Sequence, residues 1–169
     1  MTAGVPLARP VATSAAARAA ATEKAITLLA ALSWLAALIH AAAIPEHWEE
    51  YRPYAVCFAV LAVLQAFWAA AFFRAPSRGL LLAVIVLSAG VIAVWIASRT
   101  IGLPVGPEPW TPEPAGAPDV AATVTELVLA AAGLQLLRTW PRIPAWLLPV
   151  GTTILLAGGV ALAAGGHAH

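Results

Sequence analysis

Five stretches of about twenty residues, each nearly free of charge and closed off by charged residues or proline, set the terms for this chain. A helix crossing the hydrocarbon core of a bilayer needs about 20 apolar residues. The stretches run from about 24 to 44, 53 to 73, 79 to 98, 119 to 137 and 143 to 164. Composition agrees: of 169 residues, 62% are hydrophobic and 10% charged, against about a quarter charged in a soluble domain. So few charged side chains cannot clothe a water-soluble globule of this size. The pattern predicts an all-α fold, an integral membrane helical bundle of five transmembrane helices over residues 23–164. A flexible cytoplasmic arm, residues 1–22, precedes it, and an outer tail, residues 165–169, carries His167 and His169. The arm reads as retained, because the stretch after it is too long for a signal-peptide core.

Orientation follows from the basic residues, which accumulate on the cytoplasmic side of span ends. With the N-terminus inside, Arg9, Arg18, Lys24, Arg74, Arg78, Arg138 and Arg142 lie inside, seven of the nine basic residues, and only Arg52 and Arg99 lie outside. The acids divide the other way. Glu23 alone is inside, while Glu46, Glu49, Glu50, Glu108, Glu113, Asp119 and Glu126 lie at or toward the outer face, as do all four histidines. Five spans then leave the C-terminus outside. Trp34 and Trp68 fall deep in the spans and read as packing residues, and Ser88 and Gly133 are among the small residues that permit close helix approach.

Two ionisable residues sit within apolar stretches, where a charge costs about 2.5–3.5 kcal/mol on insertion scales and is seldom left facing lipid. His40 lies near the outer end of the first span, and Glu126 lies seven residues into the fourth, on the same helical face as Asp119. Pro45 is expected to end the first helix, which would leave His47 in a loop able to fold back over the helix ends. His40, His47, Asp119 and Glu126 then form a candidate site for zinc, manganese or iron, because imidazole and carboxylate suit those ions. Glu46, Arg99, Glu108 and Glu113 would support it from above. A second reading is a structural clasp, in which His40 hydrogen-bonds Glu126 and Arg99 neutralises an acid. A proton-linked or haem site is a third. Gln65 and Gln135 read as interhelical hydrogen bonders.

Between the third and fourth spans, residues 99–118 contain six prolines, which disfavour helix and favour an extended, semi-rigid course. With Trp110 as an apolar anchor, this segment reads as an ordered lid over the outer helix ends, bringing Glu108 and Glu113 toward the histidines; a plain solvated linker is the alternative reading. The run Ser98-Arg99-Thr100, Gly102-Leu103-Pro104, Gly106-Pro107, Pro112-Glu113-Pro114, Gly116 and Asp119, with Glu126 beyond, resembles a motif of a group of small multi-pass bacterial membrane proteins. His40 and the Glu46-His47 pair resemble that group's first-span ending, so the likeness covers roughly residues 25 to 137. It implies a multi-pass fold and carries no activity with it.

Cys57 is the only cysteine, so there is no CxxC site and no internal disulfide. No phosphate-binding loop, dinucleotide fingerprint or hydrolase elbow occurs, and the scattered basic residues give no support to nucleic-acid binding. The expectation is a bacterial plasma-membrane protein embedded in the lipid bilayer, self-associated or part of a larger membrane complex. Its His/carboxylate cluster would bind a divalent metal or protons for ion handling or sensing. The alternatives are a structural or accessory subunit and a haem- or quinone-linked redox subunit.

Overall fold

The structure, a computed structural model, describes residues 11–140, with side chains from residue 16 onward; the fifth apolar segment and the His167/His169 tail lie outside the described residues. It holds four helices: α1 (Val11–Glu50), α2 (Arg52–Arg74), α3 (Arg78–Thr100) and α4 (Ala117–Thr139). Each is long and apolar enough to cross a membrane. At about 1.5 Å per residue a 23-residue helix such as α2, α3 or α4 is about 34 Å long, close to the ~30 Å hydrocarbon thickness of a bilayer.

Helix ends α2 to α4 fall where local chemistry places them. Tyr51, in extended conformation, leads into α2 with proline in its first turn, where the missing N–H is no loss. Ser77 caps α3 by accepting from the Leu80 amide at 3.2 Å. At α4 the Asp119 carboxylate reaches back to the Gly116 amide at 2.9 Å, half of a capping box at a helix N-terminus.

The first helix departs from expectation at both ends. It begins at Val11, within the segment read as an arm, and it runs through Pro45 to Glu50 instead of stopping there. Proline removes one backbone hydrogen bond without ending the helix, and the last turn closes with the Tyr51 amide donating to the His47 carbonyl at 2.8 Å. His47 is therefore a helical residue two turns beyond His40, on the same face, and not part of a loop.

Packing leaves the bundle built of two hairpins. α1 packs against α2 and against α4, α3 packs against α4, and α2 and α3 barely meet. Leu29, Ala30, Ala36, Trp68, Phe72, Leu81, Val84, Leu129 and Leu136 form the apolar core. Trp68 packs there as expected, whereas Trp34 is 52% exposed on the outer side of α1. A Cβ on Gly133 would come within 3.0 Å of Ile85 Cγ1, so α3 and α4 approach each other over a residue that must be small. Val63, Phe67, Val94 and Val124 face outward, which suits helices whose outer faces meet lipid.

The loop between α3 and α4 is an ordered strap across the ends of the helices. Its backbone bonds to itself through Trp110 N to Leu103 O at 2.7 Å and back to α3 through Glu113 N to Ser98 O at 3.0 Å. The Tyr54 hydroxyl of α2 donates to the Val105 carbonyl at 2.6 Å. Gly102 adopts φ +72 with the backbone of Trp110 and Thr111 directly over its Cα, leaving no room for a side chain. Trp110 itself is 63% exposed with φ 62, so the strap is held by hydrogen bonds and not by the apolar anchor the sequence suggested. The end of the bundle that it covers is called the lid end below.

Candidate functional site

Counting from the lid end, His40 lies ten residues down α1, Gln65 thirteen down α2, Ser88 twelve up from the end of α3 and Glu126 nine down α4. These offsets correspond to about 14–20 Å of helix, so the four side chains lie near half-depth. All four are buried: Glu126 is 0% exposed, Gln65 1%, His40 2% and Ser88 2%.

They form one hydrogen-bonded chain through all four helices. His40 Nδ1 lies 2.8 Å from Gln65 Oε1, Gln65 Nε2 donates to Glu126 Oε1 at 2.5 Å, and the Ser88 hydroxyl donates to Glu126 Oε2 at 2.5 Å. An amide oxygen only accepts, so Nδ1 of His40 carries a hydrogen and its Nε2 is the nitrogen free to gain or lose one. Both oxygens of Glu126 are thus held by neutral donors, and the residue that can bring a positive charge to it is His40, one amide away. Phe58 stacks on the His40 ring at 5.8 Å between centroids.

Serine, glutamine and histidine take these places because each helix turns one stripe inward. Leu81, Val84 and Ser88 recur at three- and four-residue spacing on the buried face of α3, and Glu126, Leu129, Gly133 and Leu136 do so on α4. An unpaired polar atom on such a stripe would lose its water with nothing in return.

The remaining expected site residues lie elsewhere. Asp119 pairs with Arg99 Nη2 at 2.8 Å, and Glu113, carried in by the strap, pairs with Arg99 Nη1. Glu113 therefore meets the arginine and not the histidines. His47 Nδ1 bonds the Ala43 carbonyl at 2.9 Å, and its ring packs on Phe58 at 4.5 Å. Glu46 and Glu108 are exposed. Of the four expected metal ligands, the structure joins His40 and Glu126 through Gln65, and places His47 and Asp119 with other partners. Among the described residues no group of three or more His, Cys, Asp or Glu side chains gathers as a metal-ligand set.

Gln65 is an interhelical hydrogen bonder as read from the sequence, but its position between His40 and Glu126 is new. Ser88 was expected only as a small residue. Its spacing of seven from Leu81 on an apolar helix was the available sign that it faces inward. No protein-family model, curated protein or solved structure matches the chain.

Proposed function

We propose that this is a proton-binding protein of the bacterial plasma membrane, with five spans, its N-terminus in the cytoplasm and the lid end outside, in which His40 and Glu126 share one exchangeable proton through Gln65. One observation carries the reading: a fully buried carboxyl, near half-depth in a bundle of apolar helices, with neutral donors on both oxygens and an imidazole one amide away. An isolated charge buried there would be expensive. The pair is neutral when it holds one proton, either as imidazole with carboxylic acid or as imidazolium with carboxylate, and the Gln65 amide dipole is aligned to bridge the second form. Gain or loss of a proton leaves a net charge in the apolar interior, which makes proton binding a strong input to helix packing. Ion handling or sensing driven by protons is the function this supports.

The titratable groups near the pair are few. His40 comes from α1 and Glu126 from α4, with Gln65 and Phe58 from α2 and Ser88 from α3 packed around them. His47, Tyr54, Arg99, Glu113 and Asp119 belong to the lid end, and Glu23 to the opposite end. The scattered placement of the expected ligands gives the metal version of the site less support than the proton version.

A structural clasp is the second reading, favoured by the way these bonds tie all four helices together. Infrared titration of the reconstituted protein separates the two. Proton binding gives a carboxylic-acid C=O band that changes with pH and is lost in Glu126→Gln; a clasp gives a Glu126 signal that stays constant over the range in which the protein remains folded.

A further inference from the structure

Two imidazoles and one phenyl ring form a stack that the hydrogen-bonded chain at half-depth does not use. His40 and His47 lie two turns apart on one face of α1, and both rings pack on Phe58 of α2, whose centroid is 5.8 Å from His40 and 4.5 Å from His47. The imidazoles are thus at most about 10 Å apart, which matches the ~10.5 Å rise of seven helical residues. Phe58 therefore fills the space between them. His40 is buried and His47 half-buried, nearer the lid end. The Nδ1 of His47 lies against the Ala43 carbonyl, which only accepts, so its Nε2 is the nitrogen that gains or loses a proton. On the lid side of His47, Tyr54 packs edge-on at 6.1 Å, Tyr51 packs on Tyr54, and the Tyr54 hydroxyl holds the strap at Val105. The charged groups at this end are Glu46 and Glu50, which flank His47 on α1, Arg52 over Trp48, and Arg99 with Glu113 and Asp119. Beyond His40 come Gln65 and then Glu126.

We infer that His47 is the lid-side control of the buried proton pair, acting on His40 by charge across Phe58. This rests on the proton-binding reading above and adds its regulation. A proton taken up at His47 Nε2 makes an imidazolium that repels a second positive charge at His40. Over about 10 Å, at an effective dielectric of about 20, that repulsion weakens proton binding at His40 about tenfold. The coupling is reciprocal, so a charged His40 weakens proton binding at His47 by the same factor. Glu126, one amide further on, feels less of it. The apolar ring of Phe58 keeps the space between the imidazoles at low dielectric. His40 gains and loses its second proton at Nε2 while Nδ1–H stays on Gln65, so its neutral form is the same tautomer whether His47 is charged or not. Acid on the lid side thus makes the pair hold its own proton more loosely.

The test compares a fixed charge at this position with none. His47→Lys and His47→Gln are made in the full-length chain, reconstituted in lipid, and the nitrogen-15 signals of His40, identified by their loss in His40→Gln, are followed against pH. The His40 transition is expected at lower pH in His47→Lys than in His47→Gln, by about one pH unit, or tenfold in proton affinity. Adding Phe58→Ala to both chains opens the gap to water and should shrink the difference to about twofold. A merely structural His47 would change the melting temperature and leave the two transitions together. Equal transitions in His47→Lys and His47→Gln, or a higher one in His47→Lys, overturn this inference and leave the proton-binding reading standing. A difference that Phe58→Ala does not reduce overturns the part given to the ring. A His40 without a transition in the two variants and in the unmutated chain removes the proton-binding reading itself.

Discussion

The molecule has two polar clusters, and they obey opposite rules. At the lid end Arg99 holds Glu113 and Asp119, with side-chain exposures of 15%, 46% and 35%, so water and salt reach both carboxylates. At half-depth Glu126 is sealed, and its partners are an amide and a hydroxyl. Exposed ion pairs contribute little net energy and weaken with salt, while a sealed polar network is costly to disrupt because each broken bond leaves a group with no water to replace it. The lid cluster is thus suited to fastening a strap that can open, and the inner chain to fixing how four helices meet.

The largest effect that would sharpen this contrast is expected from Glu126→Ala. It strands Gln65 Nε2 and Ser88 Oγ in the interior, and at about 1–3 kcal/mol for each orphaned group should lower stability by about 2–5 kcal/mol, measured by thermal or denaturant unfolding in detergent. Glu126→Gln, which retains the shape, should lose less; equal losses would mean that cavity and not hydrogen bonding dominates. Next comes Gly133→Val, which drives a side chain into Ile85 and is expected to cost about 1–3 kcal/mol by overpacking, without changing any polar contact. Arg99→Ala should cost about 1 kcal/mol or less in global stability yet raise hydrogen exchange at the Glu113 and Trp110 amides several-fold, an effect that high salt reproduces in the unmutated chain. The smallest effect is expected for Tyr54→Phe, about 1 kcal/mol or less from one hydroxyl bond, visible as faster exchange confined to the strap. A salt-sensitive inner chain, or a salt-insensitive strap, would break the comparison.

Much of the fold was legible because charge and proline close the apolar runs. The expected spans 53–73, 79–98 and 119–137 fall within α2, α3 and α4. Pro45 misled because a proline removes one hydrogen bond from a helix without necessarily ending it, and α1 continues to Glu50. His40, Gln65 and Glu126 each stood out as polar residues in apolar runs, and Arg99 as a basic residue beside acids. What the sequence withheld was rotation: spacing gives depth along each helix, but it does not say that the α2 amide turns between the α1 imidazole and the α4 carboxyl. Ser88 was harder still, because a serine between alanines and leucines also serves simple close packing.

The central claim is that His40 and Glu126 act as one proton-sharing pair. Nitrogen-15 NMR of labelled His40 in lipid, followed against pH in the unmutated chain and in Glu126→Gln, tests it most directly. The account predicts that His40 passes between singly and doubly protonated forms in the native chain and that Glu126→Gln displaces that transition. An imidazole fixed in one form at every pH at which the protein is folded, or a transition that ignores the Glu126 substitution, would contradict it.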